Sequence, residues 1–278
     1  MAKLLEGKVI AERIKEELKQ NIKSLKIKPV LASIQVGSSA GTNSYVLSQQ
    51  RTAQSLGVEY RLKEFGADVS EAELIEFIQK LNSDKTVNGI IVQMPLPQHM
   101  DCRKIIQFIK PQKDAEGVHP ENIGKVLYAQ AKILPCTPAA VMELLKETGI
   151  DLYGKEVVVI GHSDIVGRPL ALLLLNKFST VTVCHIATSK AGKLEEHVKR
   201  ADVLVVAVGK AGLIKGDLIK EGAVVIDVGI NRVGGKIVGD VDFEQAQNRA
   251  SFITPVPGGV GPLTVAMLMR NLIETAKT

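Results

Sequence analysis

Residues 253–264, which read I-T-P-V-P-G-G-V-G-P-L-T, constrain the fold of this chain more than any other stretch. The prolines in this segment fix the backbone angle φ and remove hydrogen-bond donors. The glycines permit positive φ and let another group approach the backbone closely. The segment therefore predicts a rigid, open loop, followed by a helix over residues 263–276. Such a loop is either a tight connection before that helix or a preformed wall of a ligand site.

Composition excludes several classes of protein. The chain has 278 residues, 45% hydrophobic and 23% charged, which is ordinary for a globular protein with room for two domains. The net charge is +5, but the 35 lysines and arginines are scattered among 30 acidic residues, and only 4% of residues are aromatic. We therefore expect no nucleic-acid surface. No apolar run is long enough to span a membrane and no signal peptide is evident, so we expect a cytoplasmic protein.

The cysteines give no sign of a disulfide framework or a metal site. Cys102, Cys136 and Cys184 are odd in number, lie far apart, and form no C-x-x-C pair. The five histidines have no metal-binding spacing either. We therefore expect no bound metal.

Strand-like and helix-like segments alternate along the chain, which predicts an α/β protein with largely parallel sheets. Strands are predicted at residues 29–36, 58–65, 89–93, 157–160, 180–184, 203–208 and 224–228. Helices are predicted at residues 42–56, 70–81, 102–109, 139–147, 168–176 and 263–276. The last helix can pack back on the first part of the chain. We therefore predict a discontinuous N-terminal α/β domain, residues 1–137 with 262–278, and a Rossmann-type parallel-sheet nucleotide domain, residues 138–261.

The stretch V-V-V-I-G-H-S-D-I-V-G-R-P-L, residues 157–170, has the strand–turn–helix layout of a dinucleotide site. It matches G-x-G-x-x-G only at Gly161 and Gly167, because Ser163 stands at the second glycine position. Alone, it is equally typical of an ordinary turn between a strand and a helix. The strands that follow favour the nucleotide site. No acid follows the second strand at residues 184–187, where NAD-specific folds often place one.

Seven segments of the chain together closely resemble the methylenetetrahydrofolate dehydrogenase/cyclohydrolase family, almost from end to end. Two of them are the Pro/Gly loop (253–264) and the turn within residues 157–170. The others are V-G-S-S-A-G-T-N-S-Y-V (36–46), G-I-I-V-Q-M-P-L-P (89–97), P-Q-K-D-A-E-G-V-H-P-E-N-I-G (111–124), P-C-T-P (135–138) and D-V-G-I-N (227–231). The resemblance implies a homodimer with a folate-binding catalytic domain and a Rossmann domain. It implies oxidation of 5,10-methylene-tetrahydrofolate by NAD(P)⁺ and hydrolysis of the methenyl product to 10-formyl-tetrahydrofolate.

The resemblance also implies roles for individual residues. Tyr45 would stack on or near the folate, and Gln93 would lie beside its reacting centre. The catalytic positions implied are Tyr45, Gln49, Gln93 and Glu116. The substrate-binding positions implied are Tyr45, Gln93, Pro95, Glu116, Pro257, Gly258 and Gly259. The cofactor-binding positions implied are Gly161, His162, Ser163, Ile165, Val166, His185, Gly209, Ile230 and Thr264.

The chain departs from the family pattern at three places. The family has Y-V-x-x-K, whereas here Tyr45 is followed four residues later by Gln49. The second Asp of the family's K-D-V-D-G, which holds the pterin, is replaced by Glu116. At the nucleotide site the usual G-R-S has His162 in place of Arg, and the usual C-H-S reads C-H-I at residues 184–186.

A glutamine at position 49 should affect hydrolysis more than oxidation. A glutamine can hydrogen-bond but cannot carry a proton at neutral pH. Oxidation mainly requires alignment of substrate and cofactor, so Gln49 is compatible with it. Hydrolysis requires proton transfer, typically worth roughly 10²–10⁴-fold in rate. We therefore expect a dehydrogenase whose coupled hydrolysis is weak or lost, unless another group such as Lys113 carries the proton.

Several alternatives stay open. NADP⁺ is favoured over NAD⁺ by a small margin, because no acid follows Cys184-His185 and His162 can donate to a 2′-phosphate. The chain could instead be a fully bifunctional dehydrogenase/cyclohydrolase, or a catalytically silent folate- and nucleotide-binding protein. It could also be another Rossmann dehydrogenase of a small acid, such as a shikimate-type enzyme.

Overall fold

The computed structural model describes residues 1–277, and the chain divides into two compact units. Unit 1 comprises Met1–Glu12 and Thr137–Thr264. Unit 2 comprises Arg13–Cys136 and the residues from Val265 onward. None of the helices in the described part of the chain is long and apolar enough to span a bilayer.

Short strands alternate with helices throughout residues 1–277. The strands are β1 (Lys3–Leu4), β2 (Val30–Val36), β3 (Glu59–Phe65), β4 (Gly89–Val92), β5 (Glu156–Ile160), β6 (Thr180–Cys184), β7 (Val203–Val206), β8 (Val224–Asp227), β9 (Asn231–Val233), β10 (Lys236–Val238) and β11 (Phe252–Ile253). The α-helices are α1 (Gly7–Ser24), α2 (Ala40–Leu56), α3 (Glu71–Ser83), α4 (Cys102–Ile106), α5 (Pro120–Leu127), α6 (Cys136–Thr148), α7 (Gly167–Leu175), α8 (Ile186–Lys190), α9 (Leu194–Arg200), α10 (Phe243–Ala246) and α11 (Val260–Ala276). Short 3₁₀ helices lie at Pro111–Lys113 and Gly216–Leu218.

Unit 2 is built on a three-stranded parallel sheet in the order β3-β2-β4. Every residue of the central strand β2 is buried, which explains its nearly continuous apolar sequence. Helix α2 follows β2 directly. It begins after Ser39, whose side chain accepts a hydrogen bond from the Thr42 N–H, and ends at Gly57, whose φ of 75° is left-handed.

Unit 1 contains a six-stranded parallel sheet in the order β1-β11-β8-β7-β5-β6. The first strand pairs Lys3 with Phe252 and Leu4 with Ile253. This pairing joins Met1–Glu12 to unit 1, whereas the sequence prediction grouped those residues with the first domain. An antiparallel hairpin of β9 and β10 lies in the same unit.

The predicted α/β class is confirmed, with a Rossmann-type parallel sheet and a separate N-terminal α/β catalytic domain. The predicted start of the last helix is wrong, because α11 begins at Val260 and not at residue 263. Pro262 is compatible with this start because the first turn of a helix does not need its missing N–H. The sequence prediction also missed the helices α1, α5, α8, α9 and α10.

Candidate active site

A buried cluster of polar side chains lies in unit 2 where helix α2 packs against the sheet. Tyr45 and Gln49 lie one turn apart on α2, so they share one face of that helix. The Gln35 amide donates to Gly37 O at 3.1 Å and to Asn43 Oδ1 at 2.9 Å, which ties the start of α2 to the end of β2. The sheet and the helix therefore hold Tyr45 and Gln49 in fixed positions.

Gln49 is fully buried and hydrogen-bonded to neighbours on both sides. Its Oε1 accepts from Tyr60 Oη at 2.7 Å and from Gln93 Nε2 at 2.9 Å. Gln93 Nε2 also donates to Ser33 Oγ at 2.9 Å. Full burial with several partners rules out a merely solvated surface glutamine.

The loop after the first 3₁₀ helix carries two carboxyl groups in contrasting surroundings. Asp114 is buried and accepts hydrogen bonds from Gly117 N at 2.9 Å, His119 N at 2.8 Å and Asn122 Nδ2 at 2.8 Å. Glu116 is half-buried, and burial, aided by the nearby Asp114, raises its pKa to about 8. Asp114 therefore fixes the loop, whereas Glu116 keeps its proton to higher pH than a free glutamate does.

The backbone around Glu116 is held by α6 and α11. The Cys136 N–H donates to Glu116 O at 3.2 Å, and Asn271 Nδ2 donates to Ala115 O at 2.9 Å and to Leu134 O at 2.7 Å. Burial raises the pKa of the Cys136 thiol well above its usual range. The loop is thus a rigid platform for the Glu116 side chain.

Lys113 is held away from this cluster. Its Nζ donates to Leu81 O at 2.9 Å and to Asp84 O at 2.6 Å, and burial lowers the pKa of its amine. The suggestion that Lys113 supplies the proton in place of Gln49 is therefore not supported by the geometry.

The turn between β5 and α7 in unit 1 has the close backbone packing of a phosphate-binding turn. Gly161 has a φ of 122°, and a Cβ at Gly167 would lie 2.0 Å from Gly161 O, so both positions require glycine. The Ser163 hydroxyl accepts from Val166 N at 3.2 Å. The turn leads into the N-terminus of α7, which can bind an anion.

Two exposed histidines lie side by side at this turn. The rings of His162 and His185 have centroids 5.0 Å apart and are tilted by 47°. His185 Nδ1 accepts the Ala187 N–H at 3.3 Å as the cap of α8. Its Nε2 is therefore the nitrogen that carries a proton in the neutral ring.

The loops after β7 and β8 are fixed by two buried aspartates. Asp240 accepts hydrogen bonds from the N–H groups of Val208, Gly209 and Lys210 at 2.7–2.9 Å, and from Asn231 Nδ2 at 2.9 Å. The second, Asp227, accepts from three backbone N–H groups, those of residues 229, 240 and 241. These bonds hold Gly209 and the loop that contains Ile230.

The remaining predicted residues of unit 1 lie on the same loops or on the Pro/Gly segment. Ile165 and Ile230 are exposed, by 37% and 67%, and present apolar surface to solvent. Thr264 is buried in α11, where its hydroxyl donates to Val260 O at 3.2 Å and lies 3.5 Å from Thr137 Oγ1. The Thr264 hydroxyl is thus already bonded within unit 1.

The Pro/Gly segment is held by one hydrogen bond within the segment and one from the N-terminal part of the chain. Gly259 N donates to Pro255 O at 2.9 Å, and Lys8 N donates to Gly258 O at 3.1 Å. The peptide bonds before Pro257 and, in unit 2, before Pro95 are both cis. Pro257 and Pro95 are both exposed.

Within unit 2 the structure brings together the predicted residues Tyr45, Gln49, Gln93 and Glu116. Sequence reasoning missed the residues that position them. The missed residues are Ser33, Tyr60, Asp114, Cys136 and Asn271, and in unit 1 Asp227, Asn231 and Asp240. The polar residues Ser33 and Gln35 inside the buried strand V-L-A-S-I-Q-V were a signal that polar partners lay nearby.

Both parts of the chain match one family. Residues 5–116 match the catalytic domain of tetrahydrofolate dehydrogenase/cyclohydrolase, and residues 135–278 match its NAD(P)-binding domain. The chain is 53% identical over 283 residues to the bifunctional protein FolD of Acetivibrio thermocellus, covering 99% of this chain and 97% of that protein.

Solved structures agree with this match. The bifunctional FolD methylenetetrahydrofolate dehydrogenase/cyclohydrolase of Campylobacter jejuni has a TM-score of 0.95 at 45% identity, covering 100% of this chain and 99% of that one. A Trypanosoma brucei enzyme complexed with NADP and an inhibitor has a TM-score of 0.94 at 39% identity, covering 99% and 97%. The NAD-dependent enzyme of Saccharomyces cerevisiae has a TM-score of 0.82 at 25% identity, covering 99% and 96%. The chain belongs to the tetrahydrofolate dehydrogenase/cyclohydrolase family.

Proposed function

We propose that this protein oxidises 5,10-methylene-tetrahydrofolate with a nicotinamide cofactor and hydrolyses the methenyl product to 10-formyl-tetrahydrofolate. The observation that carries this proposal is the match of both domains, end to end, to relatives named bifunctional. The comparisons favour this bifunctional alternative over the expectation that hydrolysis is weak or lost. They also displace the shikimate-type alternative, because the family match covers nearly the whole chain.

Folate is proposed to bind at the buried polar cluster of unit 2. Tyr45 offers a ring for stacking, and Gln93 offers a side chain whose orientation is fixed by Ser33 and Gln49. Such fixed side chains can align a substrate carbon for reaction, which is the main requirement of the oxidation. Pro95, Pro257, Gly258 and Gly259 stay proposed substrate-binding residues from the family resemblance.

The nicotinamide cofactor is proposed to bind at the β5–α7 turn of unit 1. The tight packing of Gly161 against Gly167 leaves backbone exposed at a helix N-terminus, which fits a pyrophosphate. The bound cofactor supplies the acceptor for the hydride removed from the substrate. Ser163, Ile165, Val166, Gly209, Ile230 and Thr264 stay proposed cofactor-binding residues.

Cofactor preference is proposed to lean towards NADP⁺ through His162 and His185. Two imidazole rings with centroids 5.0 Å apart can together donate to a 2′-phosphate, and no carboxylate follows β6 to repel it. One relative of known structure is complexed with NADP, and another is NAD-dependent. The ratio of NADP⁺ to NAD⁺ efficiency should fall in His162→Ala, whereas a ratio that survives the substitution would contradict this role.

A homodimer is also proposed, as the family resemblance implies. Sedimentation analysis tests this state directly, and a monomer at all accessible concentrations would contradict it.

An absorbance assay tests the two activities separately. Protein is mixed with methylene-tetrahydrofolate and each cofactor, and reduced cofactor and methenyl product are followed together. Preformed methenyl-tetrahydrofolate is then supplied to measure hydrolysis alone. We expect reduced cofactor to form and preformed methenyl compound to be consumed faster than without protein. Folate binding with neither reaction would support the silent-binder alternative, and oxidation without hydrolysis would support the dehydrogenase-only reading that Gln49 suggests.

A further inference from the structure

The carboxyl group of Glu116 has no hydrogen-bond or ion-pair partner in the unit 2 cluster. Among residues 1–277 it makes no hydrogen bond and no ion pair, although Asp114, two residues earlier, accepts from three donors. The loop that carries Glu116 is fixed by α6 and α11. The backbone of Glu116 is therefore fixed, while its carboxyl is free to meet an incoming group.

The ionisable groups that face Glu116 come from three elements and are all acids. They are Asp114 on its own loop, Tyr45 on α2 and Cys136 on α6. No lysine or arginine is among the causes of its raised pKa in the described structure, and the Lys113 amine is bonded to Leu81 O and Asp84 O. A carboxyl that is partly removed from water and has no nearby cation keeps its proton to higher pH.

The other groups of the cluster cannot exchange a proton near neutral pH. Gln49 and Gln93 have amides, and Ser33 has a hydroxyl. Burial raises the pKa of Tyr45 and of Cys136 well above their usual ranges, and it raises the pKa of Tyr60 to about 12. The Glu116 carboxyl, with a pKa of about 8, is left as the group of this cluster that changes charge near neutral pH.

We propose that Glu116 is the catalytic acid–base group that carries the proton in hydrolysis of the methenyl-folate, in a site where Gln49 cannot. This inference rests on the proposed function of the same site. It assigns Glu116 a chemical step, in addition to the substrate contact that the family resemblance implies.

The proton can be followed through the reaction. Water forms a C–O bond to the methenyl carbon, the C=N electron pair moves to nitrogen, and one water proton passes to the ionised Glu116 carboxylate. The resulting carboxylic acid then protonates N5 as the C–N5 bond breaks. The hydroxyl proton leaves to solvent as the formyl C=O forms, so Glu116 is regenerated and one proton is released in total.

The pH dependence of hydrolysis follows from this sequence. Because the ionised carboxylate starts the reaction, kcat/KM for hydrolysis should rise with pH through a midpoint near 8, the pKa of the free protein. The methenyl substrate is a cation, which lowers the pKa of a nearby acid. The midpoint of kcat should therefore lie at lower pH than that of kcat/KM.

The test measures hydrolysis of methenyl-tetrahydrofolate by the whole protein across neutral and mildly alkaline pH, after subtraction of the uncatalysed rate. Wild type, Glu116→Gln and Glu116→Asp are compared, with Glu121→Gln as a matched control. Glu121 is exposed, lies on the neighbouring helix and pairs only with Lys125. Oxidation of methylene-tetrahydrofolate is measured on the same samples.

We expect Glu116→Gln to lose roughly 10²–10⁴-fold in hydrolysis and to lose the pH rise. Glu116→Asp should keep a pH rise at reduced rate, kcat for oxidation should change much less, and Glu121→Gln should match wild type. Glu116→Gln with a wild-type pH rise would overturn the inference and leave the proposed function intact. An increase in KM for both reactions in Glu116→Gln, with kcat unchanged, would also overturn the inference and leave the proposed function intact. No hydrolysis by wild type would overturn the bifunctional proposal and this inference together.

Discussion

Asp240 and Asp227 in unit 1 and Glu116 in unit 2 differ in how many hydrogen-bond donors surround their carboxyl groups. Asp240 in unit 1 accepts four hydrogen bonds, three of them from consecutive backbone N–H groups. Asp227 accepts three, and burial still raises its pKa to about 6 against the opposing effect of these bonds. Glu116 in unit 2 accepts none from the described residues, and its pKa reaches about 8.

This difference separates a structural role from a chemical one. A carboxylate that satisfies several buried N–H groups holds loops together, and losing it leaves those donors unpaired. A carboxyl with no donor contributes no such bonds and is free to gain or lose a proton. Burial alone does not decide which role an acid has, because the hydrogen-bond donors around the carboxyl determine whether its ionised form is stabilised.

The largest effect expected from this comparison is on stability. Asp240→Ala leaves its four donors without an acceptor, so we expect a loss of about 3 kcal/mol or more in the free energy of unfolding. Glu116→Ala should cost about 1 kcal/mol or less, since it breaks no hydrogen bond. Urea unfolding followed by circular dichroism measures both, with the exposed Asp217→Ala as control. Equal losses at Asp240 and Glu116 would break the comparison.

A cation introduced next to the cluster should lower the pKa of Glu116. Gln49→Lys places an ammonium beside Tyr45, which itself lies within electrostatic range of Glu116. We expect the midpoint of the pH profile for hydrolysis to fall by roughly one to three units, with faster hydrolysis at lower pH. Oxidation should change much less.

Gln54→Lys is the matched control for that substitution, because it adds the same charge to an exposed position of the same helix. An unchanged pH midpoint in Gln49→Lys, or an equal shift in Gln54→Lys, would show that the Glu116 carboxyl does not control the profile.

A smaller effect is expected on stability as a function of pH. The pKa of Glu116 is about 8 in the folded protein against 4.5 for a free glutamate, so the folded state binds the proton more tightly. Its contribution to stability is greatest below pH 4.5 and is lost as pH rises through 8. Wild type should therefore lose about 1 kcal/mol or more relative to Glu116→Gln across this range.

Asp227 gives the companion measurement in unit 1. Its pKa of about 6 against an ordinary 3.8 predicts that its loss of stability is complete by roughly neutral pH. If the difference between wild type and Glu116→Gln also levelled off near pH 6, the contrast between the two acids would disappear.

The smallest effect concerns the positioning of Gln49 and Gln93. Tyr60→Phe removes the hydroxyl that donates to Gln49 Oε1 at 2.7 Å, which should cost about 1 kcal/mol in stability. We expect a few-fold loss in kcat/KM for oxidation, because Gln93 remains bonded to Ser33 and Gln49. Tyr128→Phe is the control, since Tyr128 is 73% exposed. No change in either quantity would remove Tyr60 from the positioning network.

Sequence patterns predicted β2 to β8, helped by the mostly apolar, buried sequences of strands such as β2, β5 and β7, but missed the two- and three-residue strands β1, β9, β10 and β11. The start of α11 was misplaced because proline and glycine in its first turn read as loop residues. The short helices α8 and α9 were missed, since short elements depend on packing more than on local sequence. The 18-residue helix α1 was missed although its sequence is amphipathic.

The chemistry of the cluster was predictable only in part. The Tyr45–Gln49 spacing placed both residues on one helix face. The surroundings of Glu116 could not be predicted, because they depend on Cys136 and Asn271, which are remote in sequence. Nor could the sequence exclude Lys113, whose amine is bonded to carbonyls about 30 residues away in the chain.

The protonation of Glu116 itself can be measured by carbon NMR on protein labelled at the glutamate side-chain carboxyl carbons. The signal of Glu116 is assigned by its disappearance in Glu116→Gln, and its shift is followed against pH in the protein without substrate. We predict one glutamate signal that titrates with a midpoint near 8, well above those of the exposed glutamates. A Glu116 signal that titrates with the exposed glutamates would contradict the proposed role of this residue as the proton carrier.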